Sequence, residues 1–515
     1  MGTITKESSV RDVVAGHPAT RRVFDRHGLQ GCGGELGPNE TLEFFAAVHQ
    51  MDVDQLIREL EAEAQRPGAS TYVYRETLPD YIYRRFFKAG VLTVLSVGCL
   101  WGAFNLWTIG TKGSFLQLGL LSSIHAHAHA MIFGWIGLFV MGFAYQSFPR
   151  FKNTTLWRPE LANLSFWLLA AGIIARVVAE LWQPAIWAVA LAATSAMAEI
   201  LAVTLFLLVL YRTARQSVEP HNPYEKFMGA AFLWFFAGTV LSHVFFFAKL
   251  TAASQEQLIH RIALIDGPLR EIQLLGFAAF IIAGVSQRLV PTIYGFPAPK
   301  RDRRSWIFGL MMASLLLNIA SYVLFLTTRN RIFGIGLELA YIMMPIWAVL
   351  LVRQINLFAA PERPDRTLKF IRAAYFWLLV ATAMMPFFIP YSLLTHQGFA
   401  HAYMGAHRHA FTVGFISLMI MGVSAKIVPI LAGVDARSLS SLWGPFLLVN
   451  IGNTARVTLQ LATDFTPVAF PLVGVTGFIE VVGLAWWGIE LWRTMNLAST
   501  HRPKQLVMPL PLGAR

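Results

Sequence analysis

The sequence predicts an all-α fold: a polytopic membrane bundle of twelve transmembrane helices in three four-helix repeats, preceded by a small helical domain. Three observations lead there. Of 515 residues, 55% are hydrophobic and only 14% charged, against about 25% charged in a soluble globular protein. Apolar runs of 20 or more residues recur, long enough to cross a bilayer core of roughly 30 Å. One motif also occurs three times.

That motif reads Gly-aromatic, then Gly eight residues after the first Gly, then Pro fifteen after it. Its anchors are Gly134/Gly142/Pro149, Gly276/Gly284/Pro291 and Gly414/Gly422/Pro429, with starts 142 and 138 residues apart. The repeat continues beyond it. Arg176, Asn318 and Arg456 each stand 42 residues after their repeat's first Gly, and Glu199, Glu338 and Glu480 stand 62 to 66 after it. Like units pack alike, so triplication implies a pseudo-threefold architecture.

In chain order, residues 1–66 read as a small cytoplasmic helical domain. Ser9-Val-Arg-Asp-Val-Val has helical spacing, His17-Pro18 opens a second helix, Gly31-Cys-Gly-Gly is a turn and Glu40 to Gln65 is amphipathic. A linker over 67–85 carries Pro67, Gly68 and Ser70. The membrane domain occupies 86–495, with spans expected at 86–109, 117–148, 160–182, 184–211, 226–249, 260–290, 305–327, 332–353, 369–393, 401–431, 439–461 and 467–492, and a cytoplasmic tail over 496–515. Alternate loops hold most of the cations, Arg150, Lys152, Arg301 and Arg437 among them. The opposite loops hold only Lys112, Lys249, Arg261, Arg329 and Arg331. The positive-inside rule then puts both termini in the cytoplasm. It also accounts for the net charge of +13 without a nucleic-acid partner; the partner is the lipid bilayer. The N-terminus has no apolar h-region, so no cleavable signal is expected. The two distant cysteines, Cys32 and Cys99, make no disulfide framework.

Histidines cluster just upstream of the motif in two repeats: His125, His127 and His129, then His407 and His409. The helices carrying them run inward, so these rings lie in the outer part of the membrane, where an unpaired polar group costs several kcal/mol. Residues two apart are about 200° apart around a helix. His127 and His129 therefore point to opposite sides, as do His407 and His409, whereas His125 and His129 share a face. One helix can thus serve two sites. Imidazole is a common ligand to metals and to haem iron. All five are candidate metal ligands, with His127, His129, His407 and His409 the haem candidates. His243 is a lone histidine and reads as structural.

His127-x-x-x-Met131-x-Phe133, with the His-x-His of the tenth helix, resembles subunit I of the haem–copper oxidases. That resemblance implies one haem between the second and tenth helices and another on the first His of His-x-His. A closer resemblance is to the NnrS family, through His127-Ala-His129-Ala-Met131-Ile-Phe133-Gly134, Gly284-Val-Ser-Gln-Arg288-Leu-Val-Pro291, His409-Ala-Phe-Thr-Val-Gly414 and Ala455-Arg456-Val457. It covers roughly 85–495. It implies a bacterial inner-membrane protein that holds haem, with copper also expected in the family, linked to nitric oxide metabolism and nitrosative stress. On this reading His127 and His409 bind one haem, and His407, with His129 or His125, a second haem or a copper ion. Ala130 replaces the family's Glu. The oxidases' copper histidines are missing from helices 6 and 7, and Glu271 stands where His129 and His409 stand in the other repeats. Copper would need other ligands, such as His125 or His243. Electrons would come from a quinol or a partner protein, since no Cys-x-x-Cys-His is present.

Arg176 and Arg456 have candidate partners in Glu199 and Glu480. They admit two readings: structural ion pairs between adjacent helices, or arginines on haem propionates with the glutamates in a proton path. Arg288, near the cytoplasmic end of helix 6, is expected to snorkel. The head, from Val10 through Cys32-Gly-Gly to Leu60, resembles the small N-terminal domain of the ScdA/repair-of-iron-centres proteins. That domain has Cys-Cys-Gly-Gly; here the first Cys is Gly31. Cys32 is a reactive thiolate only if a positive group such as His27 lowers its pKa. Three functions follow: a haem protein that binds, processes or protects against nitric oxide; a divergent haem–copper-type nitric oxide reductase or oxidase; or a non-enzymatic metal-handling or sensor protein.

Overall fold

The computed structural model describes residues 3–66, 76–115, 118–397 and 399–500, with no strand among them. Linker residues 67–75 and the tail beyond 500 lie outside the described residues. The head contains α1 (Val10–Gly16), α2 (Arg21–Arg26), α3 (Leu42–His49) and α4 (Val53–Ala64). Side chains of Ser9, Thr41 and Asp52 cap α1, α3 and α4, each supplying an acceptor that the first helical turn lacks.

Twelve long helices follow: α5 (Leu78–Lys112), α6 (Leu121–Phe151), α7 (Pro159–Trp182), α8 (Ile186–Arg215), α9 (Glu225–Leu250), α10 (Gln255–Tyr294), α11 (Arg304–Thr328), α12 (Arg331–Ile355), α13 (Leu368–Leu394), α14 (His401–Ala432), α15 (Trp443–Ala462) and α16 (Ala469–Thr500). Eleven are long and apolar enough to cross a membrane. The exception is α15, a full 20 residues long, whose apolar pattern is broken by Asn450, Asn453, Arg456 and Gln460. It packs between α14 and α16. α5 begins at Leu78, inside the stretch expected to be linker, because Thr77 and Asp80 form a capping box there and Pro79 is tolerated in the first turn.

The four-helix units form a closed ring. α8 packs on α9, α12 on α13, and α16 returns to α5. Inside the ring stand the three motif helices. The apolar windows of α6, α10 and α14 are 78, 78 and 72% buried, against 33 to 56% for the other spans. The motif glycines explain this placement. A Cβ on Gly134, Gly276 or Gly414 would strike Thr93, Trp234 or Trp377, and one on Gly142, Gly284 or Gly422 would strike Phe86, Phe227 or Phe370. In each unit the opening helix crosses the motif helix at the same two glycines. The repeated letters therefore record one repeated close approach.

Each motif helix also widens into a π-helix at the same repeat position: Ala130–Gly137, Ile272–Ala279 and Ala410–Ser417. Each segment starts directly after His129, Glu271 or His409. Such π-segments are rare and tend to occur at functional sites.

The head sits on the ends of all three motif helices opposite the histidines. Arg150 of α6 donates to the Gln30 carbonyl (2.6 Å). Arg288 of α10 donates to Gln50 Oε1 (3.3 Å). From the third unit, the Leu431 carbonyl accepts from Gly33 N–H (3.1 Å) and the Gly433 carbonyl from Arg11 (2.5 Å). Arg288 therefore does not snorkel. It is buried, hydrogen-bonded to the Tyr224 hydroxyl and stacked 4.4 Å from the Phe151 ring centroid.

Candidate functional site

The repeat fixes which residues face each seam between units. His127, Leu269 and His407 are equivalent by the repeat offsets, as are His129, Glu271 and His409. His129 faces the seam between units one and two, where it meets α8 and α9. Its counterpart His409 then faces the seam between units three and one, which His127 also enters from α6. That seam receives imidazoles from two motif helices. His407 and Glu271 are assigned together to the seam between units two and three, and Leu269 accompanies His129.

In the two-imidazole seam, His127 Nδ1 lies 2.9 Å from the Gly98 carbonyl and His409 Nδ1 lies 3.1 Å from the Gly405 carbonyl. A carbonyl only accepts, so both Nδ1 atoms carry the proton and both Nε2 lone pairs are left over. Neither Nε2 makes a hydrogen bond among the described residues. Arg456 and His127 act electrostatically on His409. Arg456 is buried, with Nε and Nη1 unpartnered, and Glu480 Oε1 is also unpartnered. No Arg456–Glu480 ion pair forms among the described residues, unlike the pairing expected from their spacing.

The seam between units one and two is self-contained. His129 Nε2 donates to Glu199 Oε1 (2.8 Å) and His243 Nε2 to Glu199 Oε2 (3.1 Å). Ser195 Oγ lies 3.4 Å from the same carboxylate and Ser242 Oγ 3.5 Å from His129 Nδ1. Gly172 makes the space: a Cβ there would meet Glu199 Cγ, as one on its counterpart Gly452 would meet Glu480 Cγ. One turn toward the histidine end of the bundle, His125 Nδ1 accepts from Lys249 Nζ (2.7 Å). Lys249 also bonds Glu180, and Arg176 pairs with Glu180 at 3.2 Å. The expected Arg176–Glu199 pair is therefore replaced: Arg176 takes the Glu four residues on in its own helix, and Glu199 takes two histidines.

Sequence reasoning missed Glu180 and Lys249. Glu180 has a usable signal in its i,i+4 spacing from Arg176. Lys249 was assigned to a loop, but the last turn of α9 carries it into the interior. His243 is held structurally, as expected, but it is not alone: it shares Glu199 with His129.

In the third seam, His407 is buried against Phe411 with Nδ1 unpartnered. Glu271 makes no hydrogen bond or ion pair among the described residues. Nearby, Arg408 and Arg270 share Asp266 at 3.5 and 3.1 Å. No group of three or more His, Cys, Asp or Glu side chains among the described residues is arranged to hold a metal ion. Copper on His125 Nδ1 would first have to displace Lys249, whereas His243 holds Glu199 through Nε2 and has Nδ1 unpartnered.

Cys32 is buried in the head–bundle interface, 3.8 Å from the Ile430 carbonyl. Burial pushes its thiol up by more than Arg150 and Arg21 pull it down. His27 instead pairs with Glu59 at 2.9 Å. The head does not activate this cysteine.

Residues 78–496 match the model of a protein family described as NnrS protein. No curated protein matches the chain.

Proposed function

We propose, since the chain belongs to the NnrS family, that it binds haem within the membrane and acts on nitric oxide there, by binding, processing or protecting against it. One observation carries this reading. Two imidazoles from different units enter one seam with Nδ1–H held by a backbone carbonyl and Nε2 unclaimed. Metal-ligating histidines show the same division of their ring nitrogens, which sets the tautomer and orients the ligand. His127 and His409 would hold the haem iron through Nε2, and the unpartnered nitrogens of Arg456 would suit a propionate.

With both imidazoles on one iron, a diatomic ligand would need another site. His407 has no imidazole counterpart across its seam, where Glu271 stands. It would hold a second haem, which would supply the iron for binding nitric oxide. When bound, haem supplies the iron that takes up the gas and exchanges electrons. The chain's residues orient it and keep water out. Electrons come from a quinol or a partner protein. Counted by the positive-inside rule, the head side is the cytoplasmic side of the bacterial inner membrane.

The test is a reduced-minus-oxidised spectrum of the purified protein, with and without carbon monoxide or nitric oxide. A Soret band is expected, with the low-spin part lost in His127→Ala and His409→Ala and the gas-sensitive part lost in His407→Ala. Absence of any Soret band from protein purified under haem-replete conditions would overturn the reading. Iron and copper analysis then separates it from a metal-handling protein without haem.

A further inference from the structure

We propose that the π-turn of α5 is a positioning device for His127: it presents the Gly98 carbonyl to Nδ1–H and so aims Nε2 into the seam. This rests on reading His127 as a haem ligand.

α5 is a regular α-helix except at Val94–Gly98, which is π. Its neighbours keep helical torsions, with ψ −46° at Thr93 and −41° at Cys99, whereas Gly98 has ψ −115°. That rotation turns the Gly98 carbonyl away from the helix axis. A helical carbonyl points along its own helix toward the N–H four residues on. The Gly98 carbonyl instead reaches a ring on another helix, 29 residues later, at 2.9 Å. A second glycine admits the ring: a Cβ on Gly102 would come within 2.5 Å of His127 Cε1 and 2.9 Å of Nδ1. Gly98 is itself crowded, since a Cβ there would lie 2.8 Å from the Thr93 carbonyl and 2.9 Å from Met131 Sδ.

The device occurs once. α9, the counterpart of α5 in unit two, is unbroken α-helix and faces Leu269 at the position of His127. In unit three the corresponding part of α13 is α-helix, and His407 Nδ1 has no partner. His409 needs no such device because its acceptor, Gly405, is one turn back in its own helix. The π-turn thus sits beside the one of these two histidines that takes its acceptor from another helix. A hydrogen bond from Nδ1–H makes the imidazole a stronger donor to iron and fixes its ring plane. It should therefore hold the reduction potential of that haem down.

The test uses the full chain in detergent with its haem. His127→Gly empties the ligand position, and free imidazole, 4-methylimidazole or 1-methylimidazole is titrated in. The first two retain an N–H when ligated; 1-methylimidazole does not, and 4-methylimidazole controls for size. Imidazole and 4-methylimidazole are expected to restore the low-spin spectrum at concentrations on the order of tenfold lower than 1-methylimidazole. Equal affinities would overturn the proposal and leave the haem reading intact. A wild-type protein without a Soret band, or a His127→Gly variant with an unchanged low-spin spectrum, would overturn the ligand assignment and the proposal together. If His127→Gly does not fold, Gly102→Ala keeps the ligand and crowds its ring. Shifted low-spin electron-paramagnetic-resonance g-values are expected, and unchanged values would overturn the proposal.

Discussion

His129 and His243, from two different repeats, donate to opposite oxygens of one carboxylate, Glu199, at 2.8 and 3.1 Å. All three side chains are buried. The carboxylate therefore fastens unit one to unit two through His243, while His129 meets it from within unit one, and neither hydrogen bond has water to replace it. Glu199→Leu strands both imidazoles and should cost about 2–5 kcal/mol. Glu199→Gln keeps an oxygen and an amide for the two rings and should cost less than half as much. Thermal unfolding in detergent reads both; a Leu variant as stable as the native chain would refute the role given to this contact.

The two intramembrane arginines should behave oppositely. Arg176 is paired with Glu180 and lies 3.9 Å from the Phe246 ring centroid. Arg176→Leu leaves Glu180 with Lys249, Gln183 and His125 but without its guanidinium, and should destabilise the haem-free protein by about 3 kcal/mol. Arg456 has no acid partner in contact among the described residues. Arg456→Leu relieves an uncompensated buried charge, so the haem-free protein should be equally or more stable, while haem retention falls. Melting the two variants with and without haem checks this. Equal destabilisation of both haem-free variants would show that Arg456 is a structural cation like Arg176.

Much of this was legible in the chain, and the reasons differ by residue. Gly134, Gly142 and their counterparts predicted the three units because a close helix approach demands glycine wherever it recurs. His127 and His409 were paired on the resemblance to the haem–copper oxidases; helix geometry alone says only that residues two apart point to opposite sides. Glu199 was found, but its partners were not: His243 is the opening-helix residue of the next unit, and spacing within one unit does not reach it. The π-segments left no signal, since widening a helix by one residue needs no particular side chain. The head's docking was equally silent. Arg288 looks like a helix-end cation until the Gln50 and Tyr224 that receive it are in place.

The head should loosen at both ends of the pH range. His49 packs 4.3 Å from the Phe45 ring centroid, and burial, then Arg150 and Arg288, hold its pKa down at about 3. A pKa lowered from an unfolded value near 6.5 stabilises the docked head fully above pH 6.5. That contribution declines as pH falls toward 3, because the undocked imidazole takes up a proton that the docked one refuses. Cys32 acts in the other direction. Its raised pKa favours the docked thiol below pH 9, and the advantage is lost as pH climbs from 9 through the docked value. Limited proteolysis between α4 and α5 should accelerate below pH 6.5 and above pH 9. His49→Gln should flatten the acid limb and Cys32→Ala the alkaline one. Between pH 7 and 8 the buried thiol should resist maleimide unless the head is first released. Prompt labelling of native protein would contradict the buried, protonated state.

Gly31 precedes Cys32 in the turn of the head, and the fold leaves no room there for a cysteine side chain. Its φ is +77°, and a Cβ would land on the carboxyl group of Asp80. That carboxyl is not free to yield. It accepts from Thr77 N–H at 2.6 Å and from the Thr77 hydroxyl at 2.9 Å, capping the first membrane helix. Gly31→Cys should therefore weaken head docking by about 1–3 kcal/mol, through the left-handed backbone and the collision together. It should not restore a dithiol that oxidises with Cys32 while the head is docked. Pairing Gly31→Cys with Asp80→Ala removes the collision and should recover part of the loss, at the expense of the cap. Head protection from protease and thiol titration follow both effects. A Gly31→Cys chain that stays docked and forms the vicinal disulfide would show that this turn retains the dithiol geometry that Asp80 here excludes.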